Sequence, residues 1–333
     1  MDLTVSMYTI KELQKIISEE IDIEIKRLNG LEPKNLYEPI AYTLAMGGKR
    51  LRPVMVLLAY NLFSDKVEKA IHAAIAIEVF HNFTLLHDDI MDEADVRRNS
   101  PTVHKKYNKN IAILSGDAMS IMAYNYLQNS ESKNLPNMVQ LFSQTALEVC
   151  EGQQFDMDFE TKMNVSIHQY LNMIRLKTAV LLACSLKIGA LAANAPETTA
   201  DLLYVFGLDL GIAFQLQDDL LDVYADQNIF GKKTGGDILS NKKTFLLLKA
   251  LELSNQQTKI ELLDWIDRKD FDPDEKIAAV KQIYNKLNIK DITINSIEDF
   301  YQSAISIWNE IDLPIETKAE LLQLAQMIME RDR

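Results

Sequence analysis

Apolar residues recur at helical spacing along most of the chain. The stretch YTIKELQKIISEEIDIEIKRL, from Tyr8 to Leu28, sets Ile10, Leu13, Ile17, Ile21 and Ile25 on one stripe. The same period runs through residues 35–46, 51–62, 66–92, 111–128, 137–160, 167–194, 198–225, 241–254, 257–268, 274–288, 294–310 and 314–331. Strand signals are nearly absent, with only 11 glycines and no alternating run bounded by hairpin dipeptides. Most of the 8 prolines, including Pro33, Pro101, Pro196, Pro273 and Pro314, stand near segment boundaries. No Pro/Gly/Ser linker divides the chain, so residues 1–333 are expected to form a single all-α domain. The segment TAVLLACSLKIGALAA (178–193) is apolar around most of its circumference, as interior helices are. A large helical bundle with buried central helices and a more charged outer layer from the last third follows, with room for a helix-faced dimer interface.

Composition narrows the chemistry. The chain is 47% hydrophobic and 25% charged, with a net charge of −13. That charge argues against nucleic acid as a partner and would repel anionic substrates unless cations gather locally. Cys150 and Cys184 have no metal-ligand spacing and are expected to be reduced fillers of a cytoplasmic protein. The start MDLTVSMYTIKELQ lacks the basic residues and apolar run of a secretion signal. No stretch looks apolar for long enough to cross a bilayer, so no integral membrane segment is expected.

Two acidic patterns change the picture. Asp88-Asp89-Ile90-Met91-Asp92 and Asp218-Asp219-Leu220-Leu221-Asp222 each follow an apolar helical run. Asp88 and Asp92 lie one turn apart on one helix face, as do Asp218 and Asp222. Carboxylates so close repel one another in an apolar setting. One such pattern alone reads more readily as a solvated helix end. Two of them point to hard divalent cations, because Mg²⁺ combines one or two carboxylates with waters and substrate phosphates. Facing helices would then present a metal cluster to a polyphosphate.

The basic residues supply the complementary charge. MGGKRLRPV places Gly47 and Gly48 before Lys49, Arg50 and Arg52 at a helix start, where backbone N–H groups suit an anion and arginine grips phosphate with two bonds. A flexible turn with solvated charges is the alternative for that fragment. Arg97 and Arg98 form a second pair, and GKKTGGDILSNKKT (231–244) a third basic stretch whose spacing is not that of a P-loop.

Taken in order, GGKRLRP, LLHDDIMDEADVRR, GQQFD, LKTA, FQLQDDLLD and KKTGGDILSNKKT resemble the trans-isoprenyl diphosphate synthases over residues 40 to 250. The resemblance implies the isoprenoid synthase fold, a single large helical bundle around a central active-site cavity, acting as a homodimer. It implies Mg²⁺ at three ions per active site, with Asp88, Asp92 and Asp218 as ligands and Asp89, Asp219 and Asp222 in support. The metals with Arg97, Lys177 and Lys232 would hold the allylic diphosphate, and Lys242 is a further substrate-binding residue; Lys232 against Lys233 is left open because GKKTGGD is one residue longer than the spacing of some members. Lys49, Arg52, His81 and Arg98 would hold the diphosphate of isopentenyl diphosphate. His81 alone would read as a core histidine; its place about two turns before Asp88 on the same side favours the site. The Lys177 carbonyl, Thr178 and Gln215 would face the developing carbocation, beside Gln153 and Asp156. Residues 231–244 and the basic ending ERDR are expected to close over the site against water. By themselves Thr178, Phe214 and Gln215 read equally as buried polar or packing residues. Arg97 and Arg98 are expected to serve two substrate diphosphates and not to pair with the aspartates.

Product length is expected to depend on the apolar residues below Asp88. Helix geometry puts Thr84, Phe80 and Ile77 near its face and points Phe83 away, whereas the resemblance marks Thr84 and Phe83 as length-determining. A single aromatic at Phe83 without an insertion in the first motif resembles archaeal-type geranylgeranyl synthases. A C20 product is therefore favoured over C15, with Phe80 as a floor against very long chains. The rival readings are a class I terpene cyclase, a non-catalytic subunit of a prenyl synthase heteromer, and an acidic helical scaffold.

Overall fold

Thr9 accepts from the N–H of Glu12 while the Glu12 carboxylate accepts from the N–H of Thr9, and this capping box starts helix α1, Ile10–Asn29. Its stripe of Ile10, Leu13, Ile17, Ile21 and Leu28 is buried, while Ile25 is only half-buried. The computed structural model describes residues 7–162, 164–225 and 234–330. The chain continues through α2 (Lys34–Ala45), α3 (Leu51–Asn61), a 3₁₀ turn at Val67–Ala70 and α4 (Ile71–Met91). Strands β1 (Val96–Arg97) and β2 (Ser100–Pro101) pair antiparallel as a small ribbon. Then come α5 (Val103–Lys106), α6 (Lys109–Gln128), α7 (Leu135–Thr161), α8 (Ile167–Ile174), a π-helical turn at Arg175–Ala179, α9 (Val180–Ala192) and α10 (Glu197–Tyr224). The last helices are α11 (Gly236–Leu239), α12 (Phe245–Leu253), α13 (Gln256–Asp267), α14 (Pro273–Lys286), α15 (Ile289–Glu310) and α16 (Ile315–Met329). The fold is all-α, as its periodicity predicts.

Contacts group the chain into two compact units. One holds the described residues up to Gln144 with Leu181–Tyr204 and Ile311–Leu324. Within it α3 is buried on every side from Pro53 to Asn61, and α4 is buried around most of its circumference by small residues such as Ala73, Ala74 and Ala76. At Gly189 of α9 a Cβ would lie 2.2 Å from the carbonyl oxygen of Val56 on α3, so only glycine permits that approach. The other unit holds Thr145–Val180, Val205–Glu310 and the described residues from Ala325. Its core joins Tyr170, Met173, Leu216, Leu220, Phe245, Trp265, Tyr284 and Ile297.

The structure corrects three expectations. The segment 167–194 is not one helix, because the π turn interrupts it at Arg175–Ala179. Helix is not formed over 241–244, where Asn241 takes a positive φ of 56° and the side chain of Thr244 caps α12 by accepting from Leu247. By length and composition α10 is long and apolar enough to cross a membrane, with a mean hydropathy of 1.3 over its most apolar window, of which 50% is buried. Core helices meet the same criterion, and α10 carries Asp209, Asp218, Asp219 and Asp222.

Candidate active site

In the first unit α4 runs out at the acidic motif. Asp92 is its C-cap, donating its N–H to the Asp88 carbonyl at 2.9 Å. The helix dipole is negative at this end, so Asp88 and Asp92, one turn apart, add carboxylate charge where it is least favoured. Asp89 points inward and is buried at 4% exposure. The guanidinium of Arg97 covers it: Nε donates to both carboxylate oxygens at 2.8 Å, and Nη2 reaches Oδ1 at 2.7 Å and Asp88 at 3.6 Å. Burial pushes the Asp89 carboxyl up and Arg97 opposes it. Arg97 is thus a partner of the aspartates, contrary to expectation. The ribbon explains this, because Arg98 and Asn99 at its tip take left-handed conformations (φ 50° and 60°) that turn the chain back on α4.

Arg98 reaches the other way, donating to the Gly47 carbonyl. A Cβ on Gly48, whose φ is 131°, would meet the Arg98 Cζ at 2.8 Å, so the glycine pair is the seat of that guanidinium. Arg50 caps α3 and is buried with Glu78, which also accepts from Asn82 at 2.7 Å. Arg50 is therefore a structural charge. Arg52 donates from Nη1 to His81 Nε2 at 3.1 Å. Burial, and then the positive field of Arg52, Arg98, Arg97 and Arg50, holds His81 well below its ordinary value, so the ring is neutral with its proton on Nδ1. Arg52, His81 and Arg98 thus come together as expected, with exposed Lys49 on the adjoining loop.

Below the acidic motif Phe80 is buried and packs edge-on against Phe142 of α7 at 5.1 Å, which in turn meets Tyr124 of α6 at 4.9 Å. Phe83 lies 5.4 Å from Phe80 and 4.9 Å from the ring of His87. Thr84 is half-buried and returns its hydroxyl to the His81 carbonyl at 2.8 Å. Phe142 and Tyr124 were invisible in the sequence, since nothing local ties α6 or α7 to Phe80.

In the second unit the corresponding residues converge on the π turn. Its wide turn is closed by the N–H of Val180 bonding to the Arg175 carbonyl. Two glycines clamp it: a Cβ on Gly152 of α7 would stand 2.3 Å from the Lys177 nitrogen, and one on Gly211 of α10 would stand 2.6 Å from the Ala179 Cα. Lys177 bonds Asp156 at 2.6 Å. Thr178 donates to Gln215 Oε1 at 3.0 Å, and Gln215 Nε2 donates to Asp219 Oδ1 at 3.0 Å. The Tyr170 hydroxyl donates to Asp219 Oδ2, and burial with the nearby Asp219 charge keeps that phenol protonated.

Asp218 and Asp222 share the remaining face of α10. Asp222 accepts from the N–H of Asp237 at 2.9 Å, tying α11 beside the motif. Burial pushes Asp237 up to about 7; Lys242 opposes this, while Asp219, Asp222 and Asp156 add to it. Lys242 is exposed, and its N–H bonds the Asp237 carbonyl at 2.9 Å. Lys232, Lys233 and the final Arg331–Arg333 lie outside the described residues. Among the described residues no three His, Cys, Asp or Glu side chains form a ready-made metal cage. The donor set nevertheless fits Mg²⁺: carboxylate oxygens at negative helix ends, few enough to leave coordination positions for water and phosphate.

Residues 33–287 match the polyprenyl synthetase family. The geranylgeranyl diphosphate synthase of Sulfolobus acidocaldarius is 36% identical over 322 residues, covering 95% of this chain and 97% of that protein. The geranylfarnesyl diphosphate synthase of Natronomonas pharaonis is 38% identical over 260 residues, covering 72% of this chain and 75% of that protein. A solved geranylgeranyl pyrophosphate synthase is 44% identical and superposes with a TM-score of 0.92, covering 98% of this chain and 100% of that one. Both acidic motifs and the arginine cluster lie inside the matched residues, and the chain belongs to the polyprenyl synthetase family.

Proposed function

We propose that this prenyltransferase condenses isopentenyl diphosphate with allylic diphosphates, head to tail (1′–4), with release of pyrophosphate and a C20 product. The observation that carries it is the juxtaposition in one unit of a carboxylate pair at a negative helix end and a nest of arginines around a neutral histidine. The first wants a cation and the second an anion. A cyclase has no use for that second anion site, a non-catalytic subunit no use for intact aspartates, and a helical scaffold no use for either.

Asp88, Asp92 and Asp218 are the proposed ligands for Mg²⁺, three ions per site; when bound, the metal would neutralise charge growing on the leaving diphosphate. Lys177, Lys242 and the basic residues at 232–233 would hold the allylic diphosphate. Arg97, already braced by Asp89, offers it the outer edge of its guanidinium. Arg52 and Arg98 bind the second diphosphate, joined by Lys49. His81 serves there by aiming Arg52. Thr178, Gln215 and the backbone of the π turn present oxygen dipoles to the allylic cation. The proton lost after condensation passes to the departing pyrophosphate, since no protein base stands out among these groups. Residues 231–233 and Arg331–Arg333, on which the expected closure depends, lie outside the described residues. Phe80, Phe83 and Thr84, with Phe142 behind Phe80, form the floor that stops growth at C20.

Both units are read as one synthase domain, because the family match includes residues of each. The exposed apolar residues Leu114 (61%) and Ile121 (64%), two turns apart on α6, support a homodimer. The net charge of −13 argues against nucleic-acid partners, and the enzyme is read as cytoplasmic. Incubation with Mg²⁺, isopentenyl diphosphate and dimethylallyl, geranyl or farnesyl diphosphate, followed by sizing of the products, tests the reading. Cyclic hydrocarbon, or no elongation of any primer, overturns the function; a C15 or C25 product overturns the floor.

A further inference from the structure

The four side chains Tyr170, Asp219, Gln215 and Thr178 form an unbroken series of hydrogen bonds across three elements. Tyr170 stands on α8, Asp219 and Gln215 on α10, and Thr178 in the π turn. The direction of every bond is set. The Tyr170 hydroxyl donates to Asp219 Oδ2, Gln215 Nε2 donates to Asp219 Oδ1 at 3.0 Å, and Thr178 Oγ1 donates to Gln215 Oε1 at 3.0 Å. A carboxylate can only accept, so Asp219 dictates which end of the Gln215 amide faces it. The amide oxygen is thereby turned to Thr178 and accepts the hydrogen bond of its hydroxyl. What Thr178 then shows on its other side is lone pairs.

We infer that Tyr170 is a positioning residue for the prenyl transfer, acting through Asp219 and Gln215 to keep the Thr178 oxygen turned as an acceptor toward the allylic carbon. The series has no slack, because the π turn that carries Thr178 is wedged between Gly152 and Gly211. Without the phenol, Asp219 keeps the Gln215 amide and the backbone N–H of Phe245 but loses the donor that fixes Oδ2, so the carboxylate is no longer held in one orientation. The Gln215 amide is then released to flip, after which its NH₂ would donate to Thr178 and direct the threonine proton outward. A dipole meant to favour a developing cation would oppose it.

The inference rests on the reading of Thr178 and Gln215 as groups beside the reacting carbon, and the test separates the two. Steady-state kcat and both KM values are measured for Tyr170→Phe, Gln215→Leu and the double variant, below their melting temperatures. Tyr170→Phe is expected to lower kcat about 10- to 100-fold, with KM for isopentenyl diphosphate within about twofold of the parent. On the Gln215→Leu background the same exchange should cost less than about twofold, because the series is already cut. An equal fold-loss in both backgrounds, the mark of a merely structural tyrosine, overturns the inference, as does a parental kcat for Tyr170→Phe. A parental kcat for Gln215→Leu overturns the underlying reading instead. Should the tyrosine variant not fold, Asp219→Asn breaks the same relay with the phenol in place, since its amide can donate to Gln215 Oε1 and reverse the amide; a parental kcat for it overturns the inference.

Discussion

The two acidic motifs share one pattern, DDxxD at the carboxyl end of a long helix, but are secured in different ways. In both, the middle aspartate is buried at 4% exposure. Asp89 is held by a cation, the Arg97 guanidinium, and Asp219 by neutral donors, the side chains of Tyr170 and Gln215 and the backbone N–H of Phe245. The last aspartate differs too, since Asp92 ends its helix and stays exposed while Asp222 anchors the next helix through the Asp237 N–H. A repeated motif therefore does not mean a repeated environment. The first motif sits among arginines and the second among further carboxylates.

The outer aspartates carry the largest expected effect. Asp88→Ala and Asp218→Ala should each lower kcat by about 10³-fold or more while leaving the melting temperature within a few degrees, and chelation of divalent metal should abolish turnover of the parent. Kinetics beside thermal melts checks this; a large loss at only one motif would break the parallel between them. The middle aspartates should instead affect stability. Asp89→Ala strands a largely buried guanidinium and should cost about 3 kcal/mol. Asp219→Ala strands a phenol and an amide and should cost about 2 kcal/mol. Urea unfolding gives both, and raised salt should narrow the difference by weakening the ionic contact.

Product length is a subtler readout. Phe80→Ala should lengthen the product by one or more isoprene units, and Phe142→Ala should act in the same direction through Phe80, as chromatography of the products would show. Truncation at the second motif should leave product length alone.

The smallest effect is a difference of sign with pH. His81, held below its ordinary value of 6.5, is neutral when folded, so the unfolded chain binds more protons as pH falls through that value and stability drops. Asp237, raised from 3.8 to about 7, binds its proton more readily when folded, so its contribution falls as pH rises through that window. Each slope is at most about 1.4 kcal/mol per pH unit. In melts from pH 5 to 8, His81→Gln should remove an acid-side loss and Asp237→Asn an acid-side gain; the same sign for both would erase the electrostatic contrast between the regions.

Much of the site was legible because its residues announce themselves in short order. DDIMD, GGKRLR and QDDLLD place charges at helical spacing in apolar runs, and helix geometry then fixes which carboxylates share a face. What stayed hidden depends on residues far apart in the chain. That Arg97 also braces Asp89 was hidden until the ribbon turned it onto that carboxylate. Arg50 looked like its neighbour Arg52 until it was found buried with Glu78. Tyr170 carried no signal, because its partner is 49 residues away. The π turn was read as plain helix, since π and α turns draw on the same apolar spacing and only the glycines packed on either side betray it.

The sequence by itself thus determined an all-helical chain, the two carboxylate faces and the set of cations that answers them, for these rest on local periodicity and on the charge each residue always carries. Tertiary structure decided which aspartate is brace and which is ligand, which arginine is structural, that His81 is neutral, and which way Gln215 points. Those properties come from burial and from hydrogen-bond partners, and neither exists until distant segments have packed.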